Sequence, residues 1–212
     1  MGKLFGTFGV RGVVNQELTP ELAYRLGLAL ATHLGNRGKV AVGRDNRTSG
    51  EMFESAVVAG LLAGGCDVLR LGLTPTPVLS FSVRNFGCDA GVIITASHNP
   101  PQYNGIKFWG SEGAGFERER ERQIEQIVES GGKMVEWNRV GQVLSADAIA
   151  AYTAELLNRI PKFKRKLRVV VDCGSAVGAL VTPYVLRELG CEVISMNSQL
   201  DGTFPGRKLE PV

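Results

Sequence analysis

The amino-acid sequence predicts an α/β fold: a mixed, mostly parallel sheet flanked by helices, with a second α/β unit of similar build behind it. Three observations carry this. Short apolar or β-branched runs, among them Val40-Ala41-Val42, Val68-Leu69, Gly91-Val92-Ile93-Ile94 and Val169-Val170-Val171, alternate with stretches whose apolar residues recur at helical spacing. Glycine is frequent, 27 of 212 residues, as many tight turns between short elements require. The stretch Gly91-Val92-Ile93-Ile94-Thr95-Ala96-Ser97-His98-Asn99-Pro100-Pro101 runs from a buried-strand pattern into small and polar residues and stops at two prolines. Neither proline has an N–H to give to a ladder. Ser97 is thereby expected on a stiff loop at the carboxyl end of a buried strand, where open α/β sheets bind ligands. By itself the same stretch also reads as an ordinary turn.

The N-terminal segment 1–16 holds Gly6, Gly9 and Gly12 and reads as a loop containing Arg11. An arginine there suits bidentate phosphate recognition. Taken alone, the segment reads rather as an N-terminal arm with one solvated arginine. Thr19, Pro20 and Glu21 form a helix start, with a stripe of Leu22, Leu26, Ala29, Leu30 and Leu34 and a stop at Gly35. A strand over 39–43 ends in the polar loop Arg44-Asp45-Asn46-Arg47. The helix over 49–64 is expected to turn Met52, Phe53, Ala56, Val57, Gly60 and Leu61 inward. A strand over 67–71 and a helix from 74 to about 86 precede the Ser97 strand.

Asn104-Gly105 signals a turn. The strand over 106–109 is expected antiparallel to its predecessor, bringing Lys107 back towards Ser97. Whether Lys107 points at the loop depends on a register the sequence leaves open. The alternating charges of 117–122 open a helix running to about 130, with a solvated face. A composition shift over 131–141 places a boundary between residues 138 and 139, giving domains 1–138 and 139–212. In the second, Ser145 caps a helix ended by Pro161, the basic run 162–168 is a solvated connector, and a βαβ unit follows with strands over 168–172 and 191–195 and a helix from 180 to 189. The glycines after Asp172 do not have dinucleotide-binding spacing.

Net charge is +3, too small to argue for nucleic acid or a membrane surface, and no apolar run is long enough to span a bilayer. Cys66, Cys88, Cys173 and Cys191 have no CxxC spacing and read as reduced thiols of a cytoplasmic protein. The two histidines, His33 and His98, exclude a His-rich zinc site, and with no Asp-x-Asp pair no compact cage for a hard cation is visible.

Three segments together, Phe5 to Gly12, Gly43 to Arg47, and Thr95 to Pro101 with Tyr103-Asn104-Gly105-Ile106-Lys107, resemble the α-D-phosphohexomutase family, phosphoglucomutases and phosphomannomutases of archaeal type above all. The resemblance implies a three-layer α/β/α domain I, an incomplete domain II, and a four-domain parent of which this chain is the N-terminal part. It implies that Ser97 is a phosphoserine whose phosphate helps hold Mg²⁺, the remaining metal ligands lying beyond Val212. It implies that Arg11 and Lys107 are basic residues of the active site, Lys107 as general acid or base, that His98, catalytic, and Asn99 support the phosphoserine, and that Arg11, Asn99 and Lys107 contact substrate. Phe8 departs from the family, which often has Asp there.

The implied activity interconverts hexose 1-phosphate and hexose 6-phosphate through a hexose 1,6-bisphosphate, which also serves as activator. The fragment alone is expected to be inactive. Phosphoglucosamine mutase, phosphopentomutase and a non-catalytic phosphosugar-binding module stay open as alternatives. The expected partner is a small phosphosugar, with no nucleic acid, no membrane and a possible homo-oligomer.

Overall fold

A computed structural model describes residues 4–6, 9–206 and 209; the expectations for Thr7, Phe8 and Val212 lie outside the described residues. The first sheet has the order β1-β5-β4-β2-β3-β6. Its strands are β1 (Val10–Val13), β2 (Lys39–Arg44), β3 (Asp67–Leu73), β4 (Ala90–Ile94), β5 (Tyr103–Gly110) and β6 (Val143–Ser145). The β4-β2, β2-β3 and β3-β6 pairs are parallel, and β5 runs antiparallel to both β4 and β1. The sheet is therefore mixed and mostly parallel, as expected.

Helices α1 (Pro20–His33), α2 (Gly50–Ala63), α3 (Thr76–Asn85) and α4 (Arg118–Ser130) cover it. Val40, Val42, Val92, Ile94, Ile106 and Phe108 pack with residues of α1, α2 and α4 in one core. Ala41, Leu69, Ile93 and Trp109, on the opposite face of the pleat, pack with Leu79 and Val83 of α3. Thr19 caps α1 by accepting from Leu22 N–H, and Pro20 sits at its first position. Two small residues let α1 and α2 touch: a Cβ at Gly27 would meet Val57 O at 2.3 Å, and one at Gly60 would meet Tyr24 O at 2.2 Å.

Several local expectations change. Arg11 lies on strand β1 instead of a loop. Gly12 serves close approach there, since a Cβ would strike Glu17 at 2.6 Å. Asn104-Gly105 is not a turn. Both residues are buried within β5, where Asn104 donates to Ser49 Oγ at 2.9 Å and its own Oδ1 accepts Gly105 N–H at 2.8 Å. Met52 is 36% exposed, and Glu54 is buried in its place, ion-paired with Arg44 at 2.9 Å and Arg70 at 3.4 Å.

Strand β6 lies past the boundary expected at 138/139, so the first sheet takes its edge from the far side of it. The Asp67 carboxylate accepts Gln142 N–H and Gln142 O accepts Val68 N–H, both at 2.8 Å, seating the returning chain. Asp147, not Ser145, caps α5 (Ala148–Arg159) through Ala150 N–H at 3.0 Å.

The second sheet contains the parallel pair β7 (Arg168–Asp172) and β8 (Glu192–Met196). A 3-10 turn, Val177–Leu180, and the short α6 (Thr182–Glu188) connect them where one longer helix was expected. Val78 of α3 joins Ala148, Val181, Val185 and Leu189 in a third apolar cluster, which bonds the two units. In the basic connector, Lys166 and Arg168 reach Glu192 of β8 at 3.7 and 3.4 Å. No helix among the described residues is long and apolar enough to cross a membrane.

Candidate active site

The site lies where β2 and β4 deliver their carboxyl ends side by side, Arg44 opposite Ile94. Beyond Ile94 the chain stays buried through Thr95 and Ala96, then emerges at Ser97, which is exposed. Ser97 has φ +57°, the left-handed region, which costs a non-glycine residue about 1–2 kcal/mol. Such strain persists only where surrounding contacts over-determine it.

Those contacts converge on the turn after β2. Ser97 N–H donates to Thr95 Oγ1 at 3.0 Å. The Thr95 hydroxyl donates to Asp45 Oδ2 at 2.6 Å. Asp45 pairs in turn with Arg47, accepting its N–H at 3.0 Å and its Nε at 3.2 Å. The Arg47 side chain is fully buried and reaches across to the Ser97 loop. Nη1 donates to Pro100 O at 2.7 Å and Tyr103 O at 2.9 Å. Nη2 donates to Ser97 O at 3.1 Å and Asn99 O at 2.7 Å. All five N–H donors of the guanidinium are thus engaged. Burial lowers the Arg47 pKa from its ordinary value, and Asp45 opposes the shift.

The expected residues are distributed around this loop. The Arg11 guanidinium donates through Nη1 to Asn99 Oδ1. His98 Nδ1 stands 3.5 Å from Ser97 Oγ, and both residues are exposed. Lys107 is buried at 9% exposure. The register left open by the sequence is resolved by Arg11 facing Gly105 and Lys107 facing Ile93. Two residues apart on β5, positions 105 and 107 share a face, so Arg11 and Lys107 project to the same side of the sheet. Burial, and then the Arg11 charge, push the Lys107 amine below its ordinary pKa; Asp45 pulls the other way. Arg11 thus reaches Asn99, His98 stands beside Ser97, and Arg11 and Lys107 share one face of the sheet.

Gly9 closes the approach to Lys107. Its φ is +83°, and a Cβ would lie 2.6 Å from Lys107 Cγ. Helix α4 fixes this segment: Glu121, buried, accepts Gly9 N–H at 3.3 Å, and Glu125 accepts Phe5 N–H at 2.7 Å. The charge run read as a solvated face thus has one carboxylate, that of Glu121, turned to structure, and Glu125 further along the helix is another.

Asp45, Arg47, Thr95 and Glu121 were not singled out as site residues from the sequence. For the first two a signal was present in the Gly43-to-Arg47 segment, but their partners are about fifty residues away. His33 packs against Phe116 with ring centroids 5.9 Å apart. Burial, with Arg120 nearby, lowers its pKa. Burial pushes the Cys66 thiol up to about 12 and raises that of Cys88, so neither is a poised nucleophile.

A hard cation needs several converging oxygen ligands. Among the described residues no group of three or more His, Cys, Asp and Glu side chains converges to hold a metal, and Asp45 is committed to Arg47 and Thr95. The residues present do not by themselves make a Mg²⁺ site.

Residues 2–134 match the family model described as phosphoglucomutase/phosphomannomutase, alpha/beta/alpha domain I, and residues 150–212 match the model for domain II. The chain belongs to the phosphoglucomutase/phosphomannomutase family. It is 51% identical, over its whole length, to 47% of a Methanopyrus kandleri protein named "Probable phosphoglucosamine mutase". It is 47% identical to a Thermococcus kodakarensis protein named "Phosphoglucomutase/phosphomannomutase", covering all of this chain and 48% of that one. The chain spans about half the length of these curated relatives. Among solved structures, a phosphoglucomutase/phosphomannomutase family protein from Burkholderia thailandensis superposes with TM-score 0.86 at 28% identity, over 97% of this chain and 46% of that one.

Proposed function

We propose that this chain supplies the phosphoserine-bearing part of a phosphohexomutase that interconverts hexose 1-phosphate and hexose 6-phosphate. The observation that carries the reading is Ser97: exposed, left-handed, with both its N–H and its carbonyl held by buried side chains, and with Arg11 bonded to Asn99 two residues on. A serine hydroxyl needs help to act as a nucleophile. Carrying a phosphoryl group, it is a donor.

In the first transfer the hydroxyl of the sugar monophosphate attacks phosphorus. The bond between phosphorus and Ser97 Oγ breaks as the new sugar O–P bond forms. Lys107, its pKa lowered by burial and by Arg11, takes the hydroxyl proton. His98 is the neighbour placed to give a proton to the departing Oγ. Arg11 spreads charge on the transferring group and, through Asn99, is oriented towards the loop. The bisphosphate turns over, and its other phosphate returns to Ser97 by the reverse steps. Mg²⁺ and a hexose 1,6-bisphosphate activator belong to this reading. The described residues do not complete a Mg²⁺ site, so residues 1–212 alone are expected to be inactive. The protein acts in the cytoplasm on a small phosphosugar, with neither nucleic acid nor membrane as partner.

A second reading, phosphoglucosamine mutase, is favoured by the name of the Methanopyrus relative. The test uses the longest natural chain containing residues 1–212, assayed with glucose, mannose and glucosamine 1-phosphates primed by the matching bisphosphates. Turnover that disappears in Ser97→Ala supports the relay, and the preferred sugar chooses between the readings. Wild-type-like turnover in Ser97→Ala overturns it.

A further inference from the structure

We infer that Arg47 is the positioning residue of the phosphoryl relay, and that the turn containing Phe204 in the second unit is the contact through which that unit acts on it. The inference rests on Ser97 as the relay.

Both main-chain polar groups of Ser97 lead back to one ion pair. Its N–H bonds to Thr95 Oγ1, whose hydroxyl is held by Asp45. Its carbonyl is held by Arg47, which is itself bonded to Asp45. The same Nη2 grips Asn99 O, so a single nitrogen bridges the carbonyls on either side of His98. Nη1 secures the return of the loop at Pro100 and Tyr103. Burying an arginine is costly unless every donor is satisfied. Here four of the five donors are used on the main chain of a single loop, that of Ser97. A lysine is a point charge and cannot span those four oxygens.

The other side of the guanidinium meets the second unit. The Phe204 ring centroid lies 5.2 Å from Arg47 Cζ, and Phe204 is itself buried with φ +53°. The turn that carries it is seated on the Arg47 turn. Gly202 leaves no room for a Cβ, which would meet Asn46 O at 2.5 Å and Thr48 N at 2.7 Å. Asn46 Nδ2 donates to Ser175 O at 2.8 Å, and the same carbonyl accepts Asp201 N–H at 3.1 Å. A displacement of the 201–204 turn therefore reaches Ser97 through one side chain.

The test compares Arg47→Lys, Arg47→Ala and Phe204→Leu with the parent and with Ser97→Ala, all in the longest natural chain containing residues 1–212. Folding is checked by circular dichroism, and phosphoryl transfer from pre-phosphorylated protein is followed in single turnovers. Misplacing a reacting group by an ångström costs about 100-fold in rate, and that loss in kcat is expected for Arg47→Lys with KM for the sugar phosphate little changed. Phe204→Leu is expected to lose rate several-fold in the same parameter. Added guanidinium is expected to restore part of the rate of Arg47→Ala. If Arg47→Ala does not fold, Arg47→Lys and Phe204→Leu decide. Arg47→Lys with parental kcat, or with its whole effect in KM, overturns the inference while leaving the relay intact. Activity persisting in Ser97→Ala removes the relay itself, whatever Arg47 does.

Discussion

The Thr95 hydroxyl donates to Asp45 Oδ2 at 2.6 Å across 50 residues of sequence, and its oxygen then receives the amide of Ser97. Thr95 is buried, and its bond to Asp45 forms away from water. Thr95→Val keeps the shape and deletes the donor and the acceptor together. It leaves the Ser97 amide unpaired and Asp45 short of one donor. Leaving a buried polar group unpaired costs about 1–3 kcal/mol. A loss of that size is expected in urea unfolding, with Thr95→Ser close to the parent.

The left-handed backbone at Ser97 gives a second expectation. Alanine there retains the steric cost of φ +57°, whereas glycine removes it. Ser97→Gly should therefore be more stable than Ser97→Ala by about 1 kcal/mol, although both lack the hydroxyl. Equal unfolding midpoints would show the loop relaxing out of this conformation.

Lys107 titrates below its ordinary value because of burial first and Arg11 second. Removing the positive charge in Arg11→Ala should move the Lys107 pKa up. The limb of the pH–kcat/KM profile that reports the deprotonated amine then shifts to higher pH. A limb that stays in place would separate Lys107 from the proton transfer.

Linkage fixes the sign of a related stability effect. Between its folded and unfolded pKa values, Lys107 holds fewer protons in the folded chain, so stability rises with pH through that window. Below the folded pKa the penalty for charging the buried amine is fully present. The stability of Lys107→Met relative to the parent should be greatest at low pH and decline as pH climbs towards the ordinary lysine value of about 10.4. Thermal unfolding across pH measures it.

Gly9→Ala places a methyl 2.6 Å from Lys107 Cγ at a φ of +83°. Contact and backbone strain are together expected to cost about 1–3 kcal/mol, with kcat falling because Lys107 is pushed aside. Calorimetry and the mutase assay check the two parts separately.

Much of this architecture could be read from local patterns, because local patterns made it. The Thr19-Pro20 start of α1 depends on neighbours a few residues away, whereas β4 already ends at Ile94, ahead of the two prolines. Asn104-Gly105 misled because a turn dipeptide was used for another purpose. Gly105 lets β5 pass Thr95 O, which a Cβ would meet at 2.7 Å, and Asn104 is anchored by Ser49. Arg11, Ser97 and Lys107 were visible as residue types suited to phosphate. Arg47 was only part of a polar loop, since its partners at positions 97 to 103 are set by the parallel pairing of β2 with β4. That pairing is long-range and leaves no local signature. Glu121 was hidden in a run whose regular charges resemble any wet helix surface.

The Arg47 grip is made on carbonyl oxygens, and every residue has one. What anchors the lip of this sheet is indifferent to the side chains displayed along it. Gln102 is exposed, and its side chain can be rewritten by drift or by an engineer while the grip on the main chain on either side of it stays where it is.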